Sequence, residues 1–435
     1  MTSNFSSEIR LPPVTKASGT VKLPGSKSIS NRALMLAALA SGRTRLTGLL
    51  RADDTERMLE SLTKLGVKVT ADGDTAVIEG AGGFFPVKSA QLFIGNAGTA
   101  ARTLTAALAF AGGHYRLDGI ERMRERPIGD LLAALRTLGA DITCEMKEGF
   151  LPLVFRPAAP VGRRVSVRGN VSSQYLTALL LTAPLIAPEA GLEITVEGEL
   201  ISRPYIDITL SMMKTFGVDV TVTKEGFRVA KGGYHAQENY AVEGDASGAS
   251  YFLALGALTG GPVRVEGVGR NALQGDAAFA DVLEQMGAVI TRGDRYIEAS
   301  LSAGKVLKGI ILDCTKIPDA AMTLVPMALK TEGPVRLTGI ASWRVKETDR
   351  IAAMAAEMNK FGVRVESGPD WIEVERGATV EENVEVATYD DHRMAMSFSL
   401  AAAAGVPVVI KDPGCTAKTY PAYFDEFFRI IGKRN

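Results

Sequence analysis

Six stretches along the chain share one pattern of apolar and polar positions: TERMLESLTKLGVKV, IGDLLAALRTLGADI, YIDITLSMMKTFGVDV, FADVLEQMGAVI, IAAMAAEMNKFGVRV and YFDEFFRIIG. Each sets apolar residues three and four apart, the spacing of one helix face, and each runs into a glycine. In five of the six a strand-like alternation follows. The glycines, Gly66, Gly139, Gly217, Gly287, Gly362 and Gly432, recur every 70–78 residues. Glycine leaves a helix readily through the left-handed conformation, so this spacing predicts six sharp helix ends. A second series interleaves with the first, in which small-residue helices run into strands, as in ALMLAALASGRTRLTGL and ASYFLALGALTGGPVRVEGV.

Six of each element predict six copies of one unit, each with two helices and several strands. The fold class is therefore α/β (α+β). Six copies arrange most simply as two domains of three, one made of residues 1–22 plus 242–435 and the other of 23–241. The crossings are expected near Lys22 and near residues 241–244, where GYHAQENYAVEGD breaks the period. The last copy stops at Gly432 with no strand behind it. The N-terminal run VTKASGTVKL is expected to supply that strand, placing both chain ends in one domain.

The Ala-, Leu-, Met- and Ser-rich helices carry few charges and should be buried all round, whereas the other helix of each copy keeps a charged face for solvent. The polar residues of the buried helices gather at their N-terminal ends: Ser26–Lys27–Ser28, Gly95–Asn96–Ala97–Gly98–Thr99, Ser172–Ser173–Gln174, Asp245–Ala246–Ser247, Pro318–Asp319 and Asp390–Asp391–His392–Arg393. N-capping accounts for any one of them. It does not account for the accompanying Lys, Arg and His, and several helix N-termini aimed at one cleft would trap anions.

Composition narrows the partners. The 49 basic residues balance the 49 acidic ones, so no long-range field favours nucleic acid or an anionic membrane. The three cysteines, Cys144, Cys314 and Cys415, lie far apart without metal-ligand spacing, which suits a reducing, cytoplasmic compartment. The start MTSNFSSEIRLPPV has no apolar targeting core, and no run reaches the length of a membrane span. A nucleotide loop fails too, since LPGSKSIS lacks the GxxxxGK[ST] spacing. In SWRVKETDR, helical spacing would put Lys346, Glu347 and Arg350 on one face, although such a cluster is also what a solvated surface looks like. RMRERPIGD shares that ambiguity, GCTAKTYP puts Lys418 in a turn before a helix, and His392 stands out from His114 and His235 by its place at a helix start.

Nine motifs in order, LPGSKSISNRA, GNAGTAAR, RERPIGDL, GNVSSQYL, RPYIDITL, IPDAAMT, WRVKETDR, DDHRMAM and CTAKTYP, resemble the 3-phosphoshikimate 1-carboxyvinyltransferase (EPSP synthase) family across residues 9–431. The GNAGTA form is similar to the glyphosate-inhibited class. The resemblance implies a two-domain inside-out α/β barrel, each domain three βαβαββ units, that closes over its substrates by induced fit. It implies transfer of the enolpyruvyl group of phosphoenolpyruvate to the 5-hydroxyl of shikimate 3-phosphate, by addition and elimination, on the route to aromatic amino acids. It implies no metal and no organic cofactor, no nucleic-acid or membrane partner, a monomer, and glyphosate as an inhibitor.

Two phosphates and two carboxylates bring about −5 to −6 charge into one cleft, which demands cations and N–H donors. Carried over by the resemblance, Asp319 is the base at the 5-hydroxyl, Glu347 gives and takes the methyl proton, and Lys27 assists phosphate departure with His392 as proton partner. Shikimate 3-phosphate falls to Lys27, Ser28, Arg32, Ser172, Ser173, Ser202, Tyr205, Asp319, Ser342 and Lys346. Phosphoenolpyruvate falls to Lys27, Asn96, Gly98, Arg126, Gln174, Arg350, Arg393 and Lys418, with Arg350 and Arg393 on its carboxylate. Two positions depart from the family: Ser342 stands where many relatives have Asn, and Thr103 where Pro is usual. If that position is the first of a helix, Thr103 should loosen segment 96–102 and mildly weaken glyphosate inhibition. The related UDP-N-acetylglucosamine enolpyruvyl transferases carry a cysteine where Glu121 stands here. A non-catalytic anion-binding module would gain nothing from Asp319 and Glu347.

Overall fold

The computed structural model describes residues 7–377 and 379–433. The chain forms two compact units, one running up to Pro24 and resuming at Glu243, the other spanning Gly25–Val242. The crossings thus fall after Pro24 and Val242, close to the positions where the glycine period breaks.

Five of the six copies among the described residues repeat one path: strand, buried helix, parallel strand, outer helix, antiparallel hairpin; the last ends at its outer helix, without the hairpin. In one copy of the Gly25–Val242 unit, Ser89–Phe93 leads through helix Gly98–Leu108 into the parallel strand His114–Asp118. Helix Gly129–Thr137 then feeds Asp141–Cys144 and Leu153–Arg156, and the latter pairs antiparallel with His114–Asp118. A helical crossover is what lets two consecutive strands run parallel, and a short turn suffices for the hairpin. Strand burial alternates, as in Arg164–Arg168, where Val165 and Val167 face inward and the arginines outward. One face of each sheet therefore meets the helices and the other meets water.

The inner helices are buried all round. Ala246–Thr259 buries every residue before Thr259, and Ser173–Ile186 buries Leu176, Leu179, Leu180 and Leu181 together. Each such leucine contributes roughly 1.5–3 kcal/mol, so these helices, not the surface ones, hold the units together. Their lack of charge is thereby explained. The outer helices end at the six glycines, whose φ angles lie between 71° and 104°. A side chain would be strained at those angles.

The chain ends are used differently from the sequence expectation. The strand that completes the last sheet is Glu8–Leu11, antiparallel to Val408–Lys411. Gly19–Lys22, within VTKASGTVKL, instead runs parallel to Val263–Glu266 and serves as leading strand for helix Ala246–Thr259. In the other unit Tyr240–Ala241 plays the same part beside Ser41–Thr47. Sequence order hides both pairings, because one unit takes its leading strand from its separate N-terminal segment and the other from the far end of its own.

Candidate active site

In the Gly25–Val242 unit the polar helix starts are tied together. Ser26 caps helix Lys27–Leu39, its Oγ accepting from Ile29 N at 3.5 Å. The bend before it needs glycine, since a Cβ at Gly25 would lie 2.0 Å from the carbonyl oxygen of Gly48. Lys27 and Ser28 open the helix half-buried, and Arg32, one turn on, is 2% exposed. Its guanidinium donates to Ser28 O (2.9 Å), Thr209 Oγ1 (2.9 Å), Thr177 Oγ1 (3.1 Å) and Tyr205 O (3.1 Å). Arg32 therefore joins three helices, Lys27–Leu39, Ser173–Ile186 and Arg203–Thr215. Burial pulls its pKa down to about 10, against the opposing pull of Tyr205 and Tyr240. A buried cation held by neutral groups is an environment that favours an incoming anion.

Ser172 caps the next helix through Gln174 N (3.3 Å), and the Gln174 amide donates to Thr99 Oγ1 at 3.4 Å, linking it to helix Gly98–Leu108. Arg126, 4% exposed, donates from Nη1 to both Asn96 O and Asn96 Oδ1 at 3.1 Å, while its buried Nε has no hydrogen-bond partner. Ser202 sits at the start of helix Arg203–Thr215 with φ 55°, a rare angle for serine. Glycine is needed at Gly98 because a Cβ there would come 2.6 Å from Arg126 Nη2. Thr103 is no first helical residue. It lies inside Gly98–Leu108, with its hydroxyl donating to Thr99 O (3.0 Å) and Ala100 O (3.3 Å). The expected loosening of segment 96–102 rested on a position that Thr103 does not hold.

The other unit carries a buried ionic cluster. Arg350, 1% exposed, donates to Asp391 Oδ2 (2.8 Å) and Oδ1 (3.2 Å), Asp319 Oδ1 (3.1 Å) and Glu347 Oε2 (2.9 Å). Burial alone would lower its pKa, but Asp391, Glu347 and Asp319 outweigh burial and push it up. Asp319 also meets Arg393 Nη2 (3.1 Å) and Lys346 Nζ (3.7 Å), and Glu347 meets Lys418 Nζ (3.2 Å). Four cations, Lys346, Arg350, Arg393 and Lys418, thus interleave with three carboxylates. With Glu347 only 6% exposed, the solvated-face reading of SWRVKETDR does not hold.

Local structure explains how these side chains converge. Lys346 and Glu347 precede the helix rather than sharing its face: Ala341–Val345 is a 3-10 turn, and the helix begins at Arg350 with Asp349 as cap. Trp343, fully buried, donates Nε1 to Pro318 O at 2.6 Å and so pins this turn beside Asp319, with Ser342 buried next to it. Lys418 closes the 3-10 turn Pro413–Lys418, ahead of helix Tyr423–Ile430. Asp391 caps helix His392–Phe398 through Arg393 N (2.9 Å), and the His392 ring is wholly buried with Nδ1 3.6 Å from Asp391 Oδ1.

Two buried carboxyls, one in this cluster and one outside it, were not singled out by the sequence. Asp391 was visible only as one member of a helix start, and its place opposite Arg350 follows from folding. Asp276, at 5% exposure beside Ser247, lies in no motif that spacing could single out.

Comparison with known proteins covers the whole arrangement. The family model for EPSP synthase (3-phosphoshikimate 1-carboxyvinyltransferase) matches residues 11–427. A 3-phosphoshikimate 1-carboxyvinyltransferase of Cellvibrio japonicus is 57% identical over 427 residues, covering 97% of this chain and 99% of that protein. Its counterpart from Burkholderia cenocepacia is 56% identical over 426 residues, covering 96% and 98%. A solved EPSP synthase from Acinetobacter baumannii, 27% identical, superposes with a TM-score of 0.79 over 97% of this chain and 98% of that one. The enolpyruvyl transferase NikO from Streptomyces tendae, 16% identical, shares the fold with a TM-score of 0.75 over 97% of each chain. With the family model and the relatives matching nearly the full length, this chain belongs to the EPSP synthase (3-phosphoshikimate 1-carboxyvinyltransferase) family.

Proposed function

We propose that this enzyme joins phosphoenolpyruvate to the 5-hydroxyl of shikimate 3-phosphate through a tetrahedral intermediate, releasing phosphate. The observation that carries the reading is the buried cluster in which Asp319 and Glu347 stand among Lys346, Arg350, Arg393 and Lys418. A site built only to hold anions would be weakened by such carboxylates, whereas a site that moves protons needs them.

The cluster also suggests how the base is switched on. Asp319 faces three cations and is a weak base in that state. When substrate phosphate and carboxylate oxygens take over Lys346, Arg350 and Arg393, Asp319 loses that stabilisation and its proton affinity rises. It can then accept the proton of the 5-hydroxyl, while Glu347 delivers a proton to the methylene carbon and later removes one. Lys27, at a helix N-terminus, supports the departing phosphate. His392, wholly buried with Nδ1 3.6 Å from Asp391 Oδ1, serves as the proton partner of Lys27 in this proposal.

Binding is divided as the motifs imply. Ser28, Arg32, Ser172, Ser173, Ser202, Tyr205, Ser342 and Lys346 serve shikimate 3-phosphate. Asn96, Gly98, Arg126, Gln174, Arg350, Arg393 and Lys418 serve phosphoenolpyruvate. Glyphosate, which also carries an anion at each end, suits the latter set. A monomer in the cytoplasm completes the proposal. Among the described residues, no helix is long and apolar enough to cross a membrane.

Phosphate release that requires both substrates together is the expected result, and no release would overturn the reading. Gly98→Ala tests Arg126 together with Gly98, because the new Cβ forces the guanidinium aside. Losing a charged hydrogen bond worth about 1.5–3 kcal/mol should raise KM for phosphoenolpyruvate roughly 10- to 100-fold with kcat little changed. An unchanged KM would remove Arg126 from the phosphoenolpyruvate set.

A further inference from the structure

Asp276 belongs to no motif and to no step above, yet it is built into the start of an inner helix. It lies in the 3-10 turn Gly275–Ala278, which follows Gln274. The Gln274 amide donates to Gly244 O (2.7 Å) and its Oε1 accepts from Ala246 N (3.1 Å), fixing this turn against helix Ala246–Thr259. Ser247, in the first turn of that helix, donates its hydroxyl to Asp276 Oδ2. Asp276 Oδ1 is buried without a hydrogen-bond partner, an arrangement that costs stability and calls for a compensating role.

The same helix reaches the ionic cluster at two further points. The Tyr251 hydroxyl lies 3.4 Å from Arg393 Nη1. Ser250 Oγ lies 2.7 Å from Thr323 Oγ1, in the turn Ala320–Thr323 directly after Asp319. Ser247 donates to Asp276, and the charges that act on it are Asp245 from the helix start, Asp319 from its turn and Arg393 from helix His392–Phe398.

We propose that Asp276 is a positioning residue that sets the proton affinity of Asp319 through the field both share with Arg393. The inference rests on reading Asp319 as the base. Ionised, Asp276 opposes the cations around Asp319 and makes it a better proton acceptor; protonated, it leaves Asp319 to Lys346, Arg350 and Arg393. Burial and then the charge of Asp319 raise the Asp276 pKa to about 7, against the lowering pull of Ser247 and Arg393 and with a further push up from Asp245. Turnover should therefore climb as pH rises through neutrality.

The test combines kcat against pH, both substrates saturating, with urea unfolding against pH, for the wild type, Asp276→Asn and Ser247→Ala. The wild-type kcat should rise through neutrality, with an apparent pKa at or above the free protein's about 7, because bound substrate anions further oppose the ionised form. In Asp276→Asn that rise should vanish and kcat at pH 8 should fall about three- to tenfold, as a weaker base requires. Ser247→Ala removes the donor that favours the ionised form, so its rise should move to higher pH. Folded Asp276 keeps a proton that the unfolded chain loses near about pH 3.9, so wild-type stability should fall between that pH and neutrality; Asp276→Asn should lack that fall. A wild-type pH–rate profile in Asp276→Asn overturns the proposal, even if its stability profile changes. So does an unshifted profile in Ser247→Ala, which decides the matter if Asp276→Asn does not fold. Full turnover in Asp319→Asn would instead strike the reading of Asp319 as base, independently of whether Asp276 titrates.

Discussion

Arg350→Met should destabilise the protein by about 3–5 kcal/mol, read as a lower urea midpoint at pH 8 with an unchanged slope. The reason is the company this side chain keeps. Arg350 is 1% exposed and supplies four hydrogen bonds to Asp319, Glu347 and Asp391, which are themselves 8%, 6% and 0% exposed. Methionine fills much of the same volume but strips Asp391 of the cation it faces and takes one from Asp319 and Glu347, which keep Lys346, Arg393 and Lys418. Buried without that counter-charge, Asp391 should hold its proton above the pH at which the unfolded chain loses it. A folded state that binds more protons than the unfolded one gains stability as pH falls, so the variant should recover part of the loss near pH 5.5. Adding Asp391→Asn, which removes the most buried of the three charges, should recover part of it at pH 8 as well. A loss under about 1 kcal/mol, independent of pH, would mean that the cluster is hydrated and exerts no structural hold.

Asp319→Asn should cut kcat by about 10²–10⁴-fold while KM for either substrate changes far less, the span usual for loss of a positioned acid or base. Asparagine keeps the shape and one oxygen acceptor, enough for Lys346 and Arg350 on the Oδ1 side while its amide nitrogen faces Arg393, but it cannot take a proton. Steady-state kinetics with phosphate detection separates the outcomes. A rise in KM with kcat preserved would demote Asp319 to a substrate ligand, because an interaction made equally in ground and transition states affects binding alone. The protein should remain folded, since Arg350 retains Glu347 and Asp391.

Much of this architecture was legible along the chain because it repeats. The six glycines mark helix ends in sequence and have the predicted backbone angle in the structure. The uncharged helices are buried because they have no polar face to offer water. The motif residues at helix starts were legible too, for a local reason: capping and anion binding both place hydroxyls, glycines and cations within one turn of a helix. Where the reading failed, a local rule had been extended beyond its reach. Thr103 was judged by helix-entry rules although it lies mid-helix, and SWRVKETDR was given one helical face although the helix begins only at Arg350.

The sequence by itself determined the repeat, the helix ends, the buried class of helices and the identity of the residues that carry charge into their N-terminal turns. Those features depend on neighbours within a few positions, where spacing and side-chain chemistry suffice. Only the tertiary structure decided which charges meet. Asp391 reaches Arg350 across 41 residues, and Glu8–Leu11 pairs with Val408–Lys411 across nearly the whole chain. It also decided that Arg32 spends its donors on three helices and that Asp276 is sealed beside Ser247. Pairings of that kind depend on packing between distant segments, and desolvation, which sets the proton affinity of a buried carboxyl, exists only once those segments have closed around it.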